Sequence, residues 1–139
     1  MDYVIKTTTD NIDFNEVCDI LSYYGLSHSD AETQKKIFEN SYAVVFLLQN
    51  NKIIGVGRAI SDGICQAALY NIALDKDYRG MGLGKVIVDK LLEQVKGCNV
   101  ILYTHPKHIG LYEHWGFSRM KTGYALYQDE ENYRNMGFI

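Results

Sequence analysis

Ile72-Ala73-Leu74-Asp75-Lys76-Asp77-Tyr78-Arg79-Gly80-Met81-Gly82-Leu83-Gly84-Lys85 runs from an apolar stretch, through a short polar turn, into three alternating glycines. Ile87, Val88, Leu91, Leu92 and Val95 then recur at the spacing of one apolar helix face, and Gly97 is placed to end that helix. The glycine-rich turn therefore lies between a strand and the helix it opens. A helix start offers N–H groups without intrahelical partners and the positive end of the macrodipole, and glycines let anionic oxygens approach the backbone closely. A plain strand-to-helix turn would need only one glycine, so the alternation favours a phosphate-binding loop.

Working outward, Asn99 to Thr104 reads as a short buried strand after the helix. Strand, helix and strand make a βαβ unit, which predicts that the Gln66–Leu74 and Asn99–Thr104 strands are parallel. Upstream, Lys52–Ser61 and Gln66–Leu74 read as strands joined by an Asp62-Gly63 hairpin turn, and Tyr42–Leu48 as a buried strand before the polar turn at Gln49, Asn50 and Asn51. Phe14, Val17, Ile20, Leu21 and Tyr24 predict a first helix, with Asp13 and Glu16 spaced as a capping box and Gly25 at its end. Ser29 or Asp30 caps a second helix through Phe38. Downstream, His108–Trp115 reads as a short helix broken by Gly116, and segments from Phe117 and Tyr124 read as closing antiparallel strands. The expected fold class is α/β, with a mixed sheet in one domain spanning residues 1–139.

Two phosphate-binding motifs fail on this loop. The dinucleotide fingerprint needs Gly-x-Gly-x-x-Gly near the amino terminus, whereas the glycines here stand at 80, 82 and 84. The P-loop needs glycine where Arg79 stands, and serine or threonine where Val86 stands. What remains resembles the GNAT superfamily of acetyltransferases, whose loop reads Arg or Gln, two residues, Gly, one residue, then Gly or Ala. Arg79, Gly82 and Gly84 match it, preceded by Ile72-Ala73-Leu74-Asp75 and Tyr78. Leu111-Tyr112-Glu113-His114-Trp115-Gly116-Phe117 resembles the family's second signature, an aromatic helix residue ahead of a Gly-Phe pair. Ile54-Gly55-Val56-Gly57-Arg58-Ala59-Ile60-Ser61-Asp62 is similar to a run in plant plastid serotonin N-acetyltransferase-like proteins and their bacterial relatives, with Gly57 where that pattern has Ala.

The resemblance implies a twisted, mostly antiparallel sheet, flanked by about four helices, whose one parallel pair splays to admit acetyl-coenzyme A. It implies that pantetheine pairs with the backbone of Ile72, Ala73 and Leu74, and that Arg79, Gly80, Met81, Gly82, Leu83, Gly84 and Lys85 hold the pyrophosphate. It also implies direct attack by an amine in a ternary complex, with Tyr112 as the acid that protonates the leaving thiolate. An acceptor resembling lysine, of pKa about 10.4, is almost wholly protonated at neutral pH, so the reaction calls for a base. Asp62, His105 and Tyr70 are of types that accept or relay protons, and each has an ordinary alternative in a turn, a cap or a cross-sheet packing contact. The family's cofactor-contacting Asn between the last strand and the helix has no counterpart in Thr104–Ile109.

Composition bounds the rest. A net charge of −3, with Lys and Arg scattered, argues against nucleic acid and fits a cationic partner better. The acceptor expected is a small-molecule amine, with a protein amino group second. No apolar run has membrane-spanning length and Met1–Asp10 lacks a signal-peptide core, which points to the cytoplasm. Cys18, Cys65 and Cys98 show neither disulfide nor zinc spacing, so they read as reduced core thiols and no metal is expected. Asp129-Glu130-Glu131 reads as a solvated acidic run, and the apolar tail Tyr133–Ile139 closes over the domain, covers an edge strand or joins a homodimer interface. The rival from another class is a catalytically weak acyl-coenzyme A sensor or protein-interaction domain.

Overall fold

The first two helices follow from their caps. In the computed structural model, which describes residues 1–139, the Asp13 carboxylate accepts the N–H of Asn15 at 2.9 Å and starts α1, Phe14–Tyr23. Glu16 does not reach back to complete a capping box. Its carboxylate accepts the N–H of Ile53 at 3.4 Å and ties the helix to the sheet. Asp30 caps α2, Ala31–Glu39, by accepting the N–H of Thr33 at 2.8 Å.

The chain forms two compact units, Met1–Leu102 and Tyr103–Ile139. The first holds a five-stranded sheet in sequence order: β1 Val4–Lys6, β2 Ala43–Gln49, β3 Lys52–Ser61, β4 Gln66–Leu74 and β5 Asn99–Ile101. The first three pairings are antiparallel and β4–β5 is parallel, the mixed α/β sheet that the βαβ reading predicts. Asn50 and Asn51, at φ 52° and 61°, make the tight turn between β2 and β3. β1 is too short to stand out in the sequence.

Helices α1 and α2 pack on one sheet face, where Phe14, Val17, Phe38, Phe46, Val56 and Ala73 belong to one buried cluster. Helix α3, Leu83–Gln94, brings Leu83, Ile87, Val88 and Leu91 into the core. Gly57 sets its approach: a Cβ there would lie 2.6 Å from Ile87 Cγ2 and 3.1 Å from Leu91 Cδ1. The alanine of the related pattern would not fit unless Ile87 and Leu91, or α3 with them, moved aside.

Several expectations are corrected. β5 stops at Ile101 and none of its three residues is buried, because it pairs with β4 alone. The segments from Phe117 and Tyr124 form no strands, and Tyr124 and Leu126 are exposed. Phe117, Thr122, Tyr124 and Tyr127 are strand-favouring types, but with Tyr124 and Leu126 fully exposed no buried face holds the segment in a ladder. The acidic run instead starts a helix, α5, Glu130–Asn135: the Asp129 carboxylate accepts the N–H of Asn132 at 3.2 Å, and Glu130 pairs with Arg134. None of the three cysteines is buried, so none is a core thiol.

In the second unit, α4, Ile109–His114, follows a 3-10 turn at Pro106–His108. The apolar tail packs within this unit, with Tyr133 stacked on Tyr127 at 3.8 Å and Phe138 edge-on to Tyr103, His105 and Tyr133. No helix is long and apolar enough to cross a membrane.

Candidate functional site

β4 is paired on both sides for only part of its length. β5 meets it at Gln66, Ala67 and Ala68, whereas β3 follows it to Leu74. Past Ala68 the second edge of β4, including Ile72, Ala73 and Leu74, has no strand partner. Such an edge offers main-chain donors and acceptors to an extended ligand that adds as a strand. The Tyr24 hydroxyl donates to Leu74 O at 2.6 Å and fixes the end of this edge to α1.

The strand is also bulged. Arg58 lies opposite Tyr70 and Val56 opposite Ala73, so β4 carries one residue more than β3, and Asn71 stands at φ 57°. Arg58 holds the bulge. Its Nε donates to Asn71 Oδ1 at 2.6 Å, Nη1 donates to Ser41 Oγ at 3.3 Å, and the guanidinium lies 5.2 Å from the centre of the Tyr70 ring. Burial pushes the Arg58 pKa down, and the Tyr70 phenol partly offsets this.

Beyond β4 the chain is pinned before it becomes glycine-rich. Asp75 N–H donates to Ile54 O at 2.8 Å, its carboxylate accepts the N–H of Asp77 at 3.0 Å, and the Tyr78 hydroxyl donates to Gln49 Oε1 at 2.6 Å. Gly80 and Gly82 both stand at φ 77°, and an added Cβ at either would meet no atom within 4 Å. Gly82 is the N-cap of α3, where no side chain caps the helix and the first turn holds no acidic residue. The amides at this helix start therefore face outward in a positive field. Arg79 and Met81 flank them in exposed positions, with Arg79 Nε donating to Lys76 O at 3.2 Å, and Lys85 pairs with Asp89 at 2.8 Å. The expected loop residues are thus brought together. Open space at the glycines, unpaired amides and the absence of a competing carboxylate suit a pyrophosphate.

Tyr112 belongs to the second unit. It sits two residues before the end of α4, where Gly116 at φ 94° closes the helix: Gly116 N–H donates to Glu113 O at 3.0 Å and Phe117 N–H to Tyr112 O at 2.9 Å. The Tyr112 ring meets Trp115 and Phe117 edge-on, and burial raises its pKa above the usual tyrosine value. The Tyr-Gly-Phe signature thus has a structural cause, a helix end with its aromatic clasp.

The base candidates occupy different settings. The Asp62 carboxylate accepts the N–H groups of Ile64, Cys65 and Gln66 at 2.7, 2.8 and 3.2 Å. Those bonds hold its pKa far below the usual carboxylate range, so it organises its turn and is a poor proton acceptor. His105 caps the 3-10 turn, its Nδ1 accepting the N–H of Lys107 at 3.2 Å. Tyr70 is the one candidate on β4, half-buried against Arg58. Sequence alone assigns no part in the site to Arg58, Asn71 or Tyr24. A lone charge at 58 within the apolar run Ile53–Ile60 was the available signal. No cluster of three His, Cys, Asp or Glu residues capable of holding a metal ion occurs.

Comparison with known proteins adds a family match. The profile of the Acetyltransferase (GNAT) family matches residues 14–117. GCN5-related N-acetyltransferase 1, chloroplastic, of Arabidopsis thaliana is 25% identical over 120 residues, 83% of this chain, and this chain spans 61% of that relative's length. Serotonin N-acetyltransferase 2, chloroplastic, of Oryza sativa subsp. japonica is 22% identical over 144 residues, covering 96% of this chain and 72% of the relative. The crystal structure of a putative acetyltransferase from Deinococcus radiodurans superposes with a TM-score of 0.81 at 21% identity, covering 92% of this chain and 90% of that one.

Proposed function

Because the chain belongs to the GNAT acetyltransferase family, we propose that it moves an acetyl group from acetyl-coenzyme A to a primary amine, by direct attack within a ternary complex. The observation that carries this reading is the continuous path from the unpaired edge of β4 at Ile72–Leu74 to the uncapped start of α3 at Gly82. Ile72, Ala73 and Leu74 would hold pantetheine by backbone pairing, and the amides from Arg79 to Lys85 the pyrophosphate. The bound donor supplies the acetyl thioester.

Each residue's task follows from its chemistry. Main-chain N–H groups at the Asn71 bulge are released from regular pairing with β3 and are available to stabilise negative charge on a carbonyl oxygen. Tyr112, by its place in the family signature, is the general acid: a desolvated phenol with a raised pKa keeps its proton until a thiolate of pKa about 8.5 needs it. The acceptor is a small-molecule amine first and a protein amino group second.

The test is calorimetric titration with acetyl-coenzyme A, followed on the same sample by thiol release across polyamines, arylalkylamines, amino acids and lysine peptides. Binding with turnover supports an N-acetyltransferase. Binding without turnover supports the sensor reading, and absence of binding overturns the donor assignment.

A further inference from the structure

Arg58 is a half-buried cation with no carboxylate beside it. The ion pairs of the structure, Lys85–Asp89, Lys90–Glu93 and Arg134–Glu130, all join exposed side chains within one helix. Arg58 is held instead by neutral groups: Asn71 Oδ1, Ser41 Oγ and the face of the Tyr70 ring. These bonds engage Nε and one N–H of Nη1, which leaves the Nη2 end of the guanidinium fork uncommitted. A partly desolvated charge without a counter-charge is unfavourable, and burial already pushes the Arg58 pKa down. The chain has 17 acidic residues against 14 Lys and Arg, so carboxylates are not scarce, yet none is placed here.

Arg58 lies opposite Tyr70, just past Ala68, the last residue at which β4 still pairs with β5. The cation therefore stands where the sheet parts. Ile60, two residues along β3 and on the same face, is 50% exposed, so this end of the face is accessible to a ligand.

We propose that Arg58 anchors a carboxylate of the acceptor, which makes the acceptor an amino acid rather than a simple arylalkylamine or polyamine. The inference rests on the proposed acetyl transfer and narrows its substrate class. A guanidinium fork matches the two oxygens of a carboxylate, and one cation balances one carboxylate charge, whereas a phosphate dianion would call for a second. Anchoring the carboxylate beside Tyr70 fixes the amine a few bonds away, at the parting of β4 and β5. Lysine would supply the charge without the planar fork.

The experiment measures thiol release by the full chain with acetyl-coenzyme A and amine pairs that differ only by a carboxylate: tyrosine and tyramine, tryptophan and tryptamine, ornithine and putrescine. At least one amino acid is expected to exceed its decarboxylated partner in kcat/KM by about 10- to 100-fold. Arg58→Lys and Arg58→Met should bring the kcat/KM ratio within each pair close to parity, because any loss from a disturbed Asn71 bulge falls on both members of a pair alike. A second readout needs neither turnover nor a variant: the Arg58 Nε–H resonance should shift on titration with N-acetyltyrosine and stay in place with N-acetyltyramine. Decarboxylated amines reacting as well as the amino acids would overturn the proposal. So would an unmoved resonance, including in a protein that binds acetyl-coenzyme A but acetylates no amine of the panel. Failure to bind acetyl-coenzyme A would refute the acetyl-transfer reading instead, while the resonance still reports on the anion site alone.

Discussion

The main-chain oxygen of Tyr112 accepts the N–H of Phe117 at 2.9 Å while the two rings meet at 87° with centroids 5.7 Å apart. Its backbone and ring thus close α4, while the role proposed above for Tyr112 in catalysis rests on the hydroxyl alone. The two contributions are separable because phenylalanine keeps the ring.

Tyr112→Phe should therefore leave stability within about 0.5 kcal/mol of wild type and lower kcat by about 10²-fold or more, with acetyl-coenzyme A affinity unchanged. Denaturant melts and steady-state kinetics on one preparation check both halves. Wild-type turnover would make Tyr112 a packing residue only.

An alkaline signature accompanies it. Burial raises the pKa values of both Tyr24 and Tyr112 above the usual tyrosine value of about 10. A phenol with a raised folded pKa keeps its proton in the native state after an unfolded chain would lose it. Its contribution to stability is thus complete below about pH 10 and is lost as the pH climbs through the folded value. Phenolate absorbance should show one late-titrating tyrosine fewer in Tyr112→Phe than in the wild type, with a shallower loss of stability above about pH 10 in the variant.

Gly82→Glu should abolish acetyl-coenzyme A binding. The open surroundings accept a side chain, but the left-handed backbone disfavours it by about 1–2 kcal/mol and the carboxylate would compete for the amides of α3. Gly82→Asn, which tolerates that backbone and adds no charge, should retain more affinity in the same calorimetric titration. Equal losses in the two variants would mean that charge is not the cause.

Gly57→Ala restores the residue of the related pattern and should still destabilise the protein by about 1–3 kcal/mol, because the added methyl meets Ile87 and Leu91. Urea unfolding should show a lower midpoint with an unchanged slope. In a double-mutant cycle with Ile87→Ala, which removes Cγ2, the combined loss should be smaller than the sum of the two single losses.

How far the sequence carried the structure depends on the kind of signal. β3 and β4 were legible to the residue because alternation, a turn and a glycine loop all agreed. The loop from Arg79 to Lys85 was legible because a helix start and left-handed glycines are local properties. The closing strands were not: whether Phe117–Gln128 pairs into a sheet is decided by partners elsewhere in the chain, and Asp129 with its acidic neighbours offered a local helix instead. The Arg58–Asn71 contact was hidden for a related reason. Thirteen positions separate the two residues, and only the β3–β4 register brings them face to face.

The bulge at Asn71 also sets the parity of β4. Tyr70 and Ala73 look toward the same sheet face, as their partners Arg58 and Val56 do, although three positions apart, while Ile72 reaches Gly57 on the other. An even strand would have sent Ala73 to the wrong side. The extra residue therefore acts as a frameshift within the strand: on the face shared with Arg58, Ala68 and Tyr70 precede it where the sheet parts, and Ala73 follows it in the core. Loss of that single position would exchange the face packed by α1 and α2 for the face packed by α3 along Ile72–Leu74, so the spacing between Tyr70 and Ala73 is as much a part of this protein's specification as the residues that fill it.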